Sequence, residues 1–161
     1  MKCFDRKLMF LLLVVCVAAA AASCSKAAKF AAINTDGSGF ALKGFDAVAY
    51  FAVNNAVEGD QRYEFVWNGA KWLFSNAENL EKFKSDPAAY APQFGGYCSY
   101  AVSKGYTANG DPKAWKLVNG KLYLNYNPEV KQMWEKGEQE NITKGEANWI
   151  EFKSKAPQHK G

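Results

Sequence analysis

Between Arg62 and Trp67 the chain alternates, with Tyr63, Phe65 and Trp67 on one side and Arg62, Glu64 and Val66 on the other. A period of two marks a strand with one buried face. Asn68-Gly69 follows, and Ala70-Lys71-Trp72-Leu73-Phe74 returns. Asn-Gly between two β-prone runs predicts a hairpin, because a type I′ turn needs positive φ at both central residues. The same arrangement recurs in Trp115-Lys116-Leu117-Val118, Asn119-Gly120 and Lys121 to Tyr126.

Each hairpin leads into a predicted helix. Ser75-Asn76-Ala77-Glu78 reads as a capping box, in which the Ser side chain bonds an orphan amide and the Glu reaches back. The helix it opens would turn Ala77, Leu80 and Phe83 inward. Asn127-Pro128-Glu129 is the second start, with Asn as cap, Pro at the first helical position and Glu near the positive end. Val130, Met133 and Trp134 form its expected buried stripe, and Gly137 its end. Asp86-Pro87 begins a further turn through Tyr90, which Pro92 stops. Cys98 to Lys104 reads as a short helix closed by Gly105. A last helix from about Glu138 to Phe152 would bury Ile142, Trp149 and Ile150 despite Gly145. Val48 to Val53, behind a capping Asp46, fits a buried strand or a helical turn equally.

These elements make the fold α+β, a small antiparallel sheet built from the two Asn-Gly hairpins with helices packed on it. The segments 66–76 and 117–127 are alike, which fits an internal duplication as well as two hairpins sharing one sheet.

The N-terminus follows another pattern. Lys2, Arg6 and Lys7 precede an uncharged apolar run from Leu8 to Ala22. About fifteen residues is short for a membrane span of roughly twenty and suits an export signal. The run ends in Ala21-Ala22-Ser23-Cys24, which resembles the bacterial lipobox, with Ala21 in place of its usual Leu. Residues 1–23 then form the signal peptide, Cys24 is the lipidation site, and Ser25 after it suits outer-membrane sorting. The alternative is ordinary cleavage at the same small residues and a soluble periplasmic protein. Residues 24–39 read as a tether, 40–152 as the domain and 153–161 as a disordered tail. The expected partners are the membrane, through the lipid anchor, and an envelope protein.

Half of the net charge of +4 lies in the signal, and no dense Lys/Arg run occurs elsewhere, which speaks against nucleic-acid binding. The single histidine, His159, sits in the tail, so a histidine-based catalytic triad or multi-histidine zinc site is not expected. Cys3 and Cys16 leave with the signal. Lipidation of Cys24 leaves Cys98 as a lone thiol in an oxidising compartment; without lipidation, a Cys24–Cys98 disulfide becomes available.

Taken together, these motifs resemble the YHS-domain family in its exported bacterial branch. The likeness is carried by Leu42 to Phe51, Trp67-Asn68-Gly69, Phe74 to Phe83, Asp86-Pro87 to Tyr90, Pro92 to Cys98 and Gly120 to Tyr126, and it spans about Leu42 to Trp149. Metal-associated members of that family resemble Asp-Pro-Val-Cys-Gly-Met in a first motif and Phe-Cys-Ser-x-x-Cys in a second. They occur beside copper-transporting ATPases and in some di-iron monooxygenase subunits. Here Ala49 stands at the first cysteine, Tyr50-Phe51 replace Gly-Met, and Ser75 and Asn79 stand at the other two cysteines. A soft metal wants several thiolate, thioether or imidazole donors, so the thiolate set does not carry over. Copper or another transition metal remains a family association only.

The candidate site is Pro92 to Tyr100, and its ligand or metal candidates are Gly95, Gly96, Tyr97 and Cys98. A thiol in the first turn of a helix would be stabilised as thiolate. The expected function is a non-enzymatic, envelope-anchored protein that binds a metal or small ligand, with a role in metal handling beside a partner. The alternatives are a thiol-redox protein using Cys98 and a purely structural interaction module.

Overall fold

A computed structural model of the protein describes residues 31–155. The signal, Cys24, the first part of the tether and His159 lie outside the described residues.

Both Asn-Gly turns adopt the backbone that their sequence predicts. Asn68 and Gly69 have φ of 52° and 77°, and Asn119 and Gly120 have 51° and 71°. The first joins β1 (Asp60–Trp67) to β2 (Ala70–Phe74), the second β3 (Asp111–Val118) to β4 (Lys121–Asn125), each pair antiparallel. The helices are α1 (Ala49–Ala52), α2 (Ala77–Ser85), α3 (Pro87–Tyr90), α4 (Ser99–Ser103), α5 (Pro128–Glu135) and α6 (Glu138–Lys155). The class is α+β. The hairpins do not share a sheet, however; each is a two-stranded sheet of its own. Phe40 pairs in parallel with Lys71 beside β2, and Cys98 with Leu124 beside β4, so neither inner strand offers its edge to the other hairpin.

The hairpins belong to two copies of one unit. Each copy opens on a left-handed turn, with φ of 52°, 50° and 84° at Leu42, Lys43 and Gly44 and 54°, 58° and 81° at Phe94, Gly95 and Gly96. Next, the Asp46 amide donates to the Val57 carbonyl and the Cys98 amide to the Ala108 carbonyl, both at 2.8 Å. A short helix follows, α1 or α4. The outer strand then begins at an aspartate, Asp60 or Asp111, which accepts from the amide of Arg62 or Lys113 at 2.9 Å. Trp72 of β2 lies on Phe83 of α2, as Tyr123 of β4 lies on Trp134 of α5, with ring planes 34° apart in both. The likeness between the two Asn-Gly segments is the part of this repeat visible in the sequence.

Several local expectations change. Asn76 caps α2, accepting from the Asn79 amide at 2.8 Å, while the Ser75 hydroxyl donates to Asp46 and Glu78 pairs with Lys82. The capping box is absent because Asp46 claims Ser75. Asn79, not Ala77, is turned inward with Phe83, and its side-chain amide also donates to Asp46 at 2.7 Å. Met133 is 48% and Ile150 68% exposed, since α5 and α6 each rest on a narrower stripe, around Trp134 and around Ile142. The end of the expected tether is docked on the domain at Ile33, which is buried, and at Asn34, whose amide donates to the Gly95 carbonyl at 2.8 Å. At the other end α6 continues to Lys155, past the expected start of the tail.

The core lies in two clusters, one around Tyr50, Trp72, Phe74 and Phe83, the other around Phe94, Val102, Tyr123, Trp134 and Ile142. Gly145 belongs to the second. A Cβ there would lie 2.7 Å from Phe94 Cζ, so this glycine lets α6 approach the ring. Among the described residues no helix is long and apolar enough to cross a membrane.

Candidate functional site

The stretch Pro92 to Tyr100 is built on a turn of three successive positive-φ residues, of which Phe94 is the costly one for an L side chain. Packing holds it there: Phe94 is 4% exposed, with its ring centroid 5.8 Å from that of Tyr123 and 6.0 Å from that of Trp149. Strained backbone often marks function. Here the same strain recurs at Leu42 and Lys43, which makes the turn a device of the repeat.

The four candidates from the sequence diverge. Gly95 seats the incoming chain; a Cβ on it would collide with the Ala32 carbonyl oxygen. The Gly96 carbonyl accepts from the Asn34 side chain at 3.2 Å, and Gly96 borders a cavity of about 240 Å³ with Asp36, Leu42 and Lys43. The Tyr97 hydroxyl donates to the Ala31 carbonyl at 3.1 Å, and burial pushes its pKa up.

Cys98 is 1% exposed and free. Its Sγ lies 3.9 Å from the Asn125 amide oxygen, which also accepts from the Tyr100 amide at 3.2 Å. The Ser99 hydroxyl and the Asn125 side-chain nitrogen are buried beside it without partners among the described residues. Cys98 occupies the place that Asp46 holds in the first copy. There the carboxylate accepts from the amides of Val48, Ala49 and Ser75, the Ser75 hydroxyl and the Asn79 side chain, at 2.7–3.2 Å. Both positions stand in the core just before a short helix, but only Asp46 accepts from the amides that open it. Cys98 precedes a helix of five residues, too short to gather the dipole expected of it.

A metal centre does not fit these donors. Among the described residues no group of three or more His, Cys, Asp or Glu comes together. The Cys98 sulfur contacts an amide oxygen, and Ser75 and Asn79 both donate to Asp46. Soft metals select against such a set.

What the stretch does border is a groove of about 560 Å³. Gly95, Phe94 and Pro92 form one wall, Trp67 and Asn68 at the tip of the first hairpin another, and Trp149 of α6 a third. Ala32, Ile33, Ala88, Ala91 and Ile150 add apolar surface, with Glu146 and Lys153 at the rim. Trp149 also stands 6.0 Å from the Tyr97 ring. The sequence predicts Trp67 and Trp149 in the core, and both pack against it from the side that also faces the groove. Their alternation and spacing are those of core residues, and nothing local tells that a hairpin tip and the last helix meet.

No family model, no curated protein and no solved structure matches the chain.

Proposed function

We propose that this chain is an exported, envelope-anchored, non-enzymatic binding protein of YHS type, held by lipid on Cys24, whose ligand is a small molecule taken in the groove beside Pro92–Gly95. The observation that carries this reading is the groove itself. Its size lies within the range of small-molecule sites, roughly 300–1,000 Å³, and aromatic faces with a few rim charges are the usual lining of such sites. The YHS likeness rests on the motif residues, and the anchor on the segment that ends at Cys24.

Under this reading Cys98, which does not line the groove, takes no part in binding. A role in metal handling would have to be exercised through an envelope partner, since the donors around Cys98 do not suit a metal.

Native mass spectrometry of protein purified from membranes tests the whole reading. The expected result is a diacyl or triacyl mass on Cys24 and a dissociable small molecule, with the molecule lost from a Trp149→Ala variant. Release of wild type and Cys24→Ala protein from membranes to the same extent overturns the anchor. A ligand-free native protein, or a ligand retained by Trp149→Ala, overturns the groove.

A further inference from the structure

We infer that the groove takes a lipid with one alkyl chain and an anionic head, drawn from the leaflet to which the chain is tethered; this rests on the anchored-binder reading. The first support is where the chain leaves the structure. Ala32 and Ile33 near the first described residue and Lys153 near the last line the same groove, so the described stretch begins and ends beside it. Cys24 precedes Ala31 by seven residues, and at about 3.3–3.6 Å per residue an anchor there keeps the mouth within about 25 Å of the lipid surface.

The second support is charge. Lys26 and Lys29 precede the groove-lining residues with no acidic residue between Cys24 and Asp36, and Lys153, Lys155 and Lys160 follow on the other side with Glu151 alone against them. Of the two rim charges, Glu146 faces Lys121 at 3.5 Å, whereas Lys153 is exposed and makes no ion pair among the described residues. An unneutralised ammonium beside an apolar, tryptophan-walled groove favours an anionic head over a neutral or cationic one. The apolar walls favour an alkyl chain, since each methylene buried there is removed from water.

The test uses the chain from residue 24 onward with Cys24→Ser, which removes the protein's own acyl chains. The probes are 12-bromododecanoate, whose bromine quenches nearby tryptophan, and the uncharged 12-bromododecanol. The expected result is saturable, one-to-one quenching by the carboxylate, with the alcohol binding about tenfold more weakly. Lys153→Glu should weaken the carboxylate about tenfold and leave the alcohol unchanged. Ala88→Trp, an exposed position on the wall, should abolish both without loss of folding.

Absence of saturable quenching overturns the inference, as does equal affinity for the two probes or indifference to Lys153→Glu. Binding that appears only after removal of residues 156–161 also overturns it, in favour of the chain's own tail. Occlusion by a concentration-dependent dimer overturns it in favour of a second copy. If dodecanoate fails while native mass spectrometry still finds a different molecule lost with Trp149→Ala, only the lipid assignment falls. If both fail, the binding reading falls with it.

Discussion

Asp46 and Cys98 hold equivalent places in the two copies and differ in what depends on them. The Asp46 carboxylate is fully buried and accepts five hydrogen bonds from two stretches of chain, 48–49 and 75–79. Truncating it strands those donors in the core, at about 1–3 kcal/mol for each that stays unsatisfied. Cys98 makes one long sulfur contact, and its loss removes little more than a small apolar group. Asp46→Ala is therefore expected to destabilise by about 3 kcal/mol or more and Cys98→Ala by about 1 kcal/mol. Urea unfolding of the two variants checks this, and equal costs would refute the distinction. From the sequence, Asp46 was legible as a cap but not as a hub. Its partners Ser75 and Asn79 lie far along the chain, and a capping motif is the local signal that Ser75 gives before the fold brings Asp46 to it.

At the level of elements, hairpins, turns and helix starts could be read because their chemistry is local. Asn-Gly dictates its own φ, and Asp86 and Asn127 accept from amides three residues on. What could not be read is which side of a helix finds a neighbour. Met133 and Ile150 fit an apolar stripe by spacing, yet the core each helix meets is narrower than the stripe. Gly145 is the converse case, a residue that looks unfavourable in α6 until its neighbour is known. Replacing a helical glycine with alanine ordinarily gains about 1 kcal/mol. Here the added methyl meets the Phe94 ring, which the positive-φ turn holds fixed, and overpacking costs about 1–3 kcal/mol. Gly145→Ala is expected to lower stability by about 1 kcal/mol net; a rise in thermal midpoint would show that the ring yields.

Across the whole molecule the two copies are joined by Tyr50, whose hydroxyl donates to the Pro112 carbonyl at 3.0 Å and whose ring meets that of Trp115 edge-on at 5.1 Å. Burial first, then the nearby Asp111 and Asp46 carboxylates, holds its pKa far above the ordinary value. The unfolded chain gives up that proton near pH 10 while the folded chain keeps it. The stabilising effect of the neutral phenol is therefore complete below about pH 10 and is lost as pH rises toward the folded pKa. Tyr50→Phe should cost about 1 kcal/mol at pH 8 through the lost hydrogen bond, and should fall less steeply than wild type between pH 10 and 11. Denaturant melts at the two pH values read both effects, and parallel slopes would dismiss Tyr50 as a source of alkaline lability. Burial raises the Tyr97 and Tyr123 values too, so part of the slope should survive. None of this long-range joining was visible in the sequence, where the two copies share only their Asn-Gly segments, and the groove between hairpin tip and last helix was hidden for the same reason.

The meeting of both chain ends at one groove also bears on connectivity. With Ala32 and Lys153 both lining that groove, residues 31–155 trace nearly a closed ring, and the order in which the two copies are written is a matter of where that ring is cut. A chain rejoined across the groove and opened instead between the exposed Ser85 and Asp86, where α2 ends, would present the copies in reverse order with the core pairings kept. The ring would then carry its groove at a seam rather than at its ends, and the distance from any anchor would be set by the new opening.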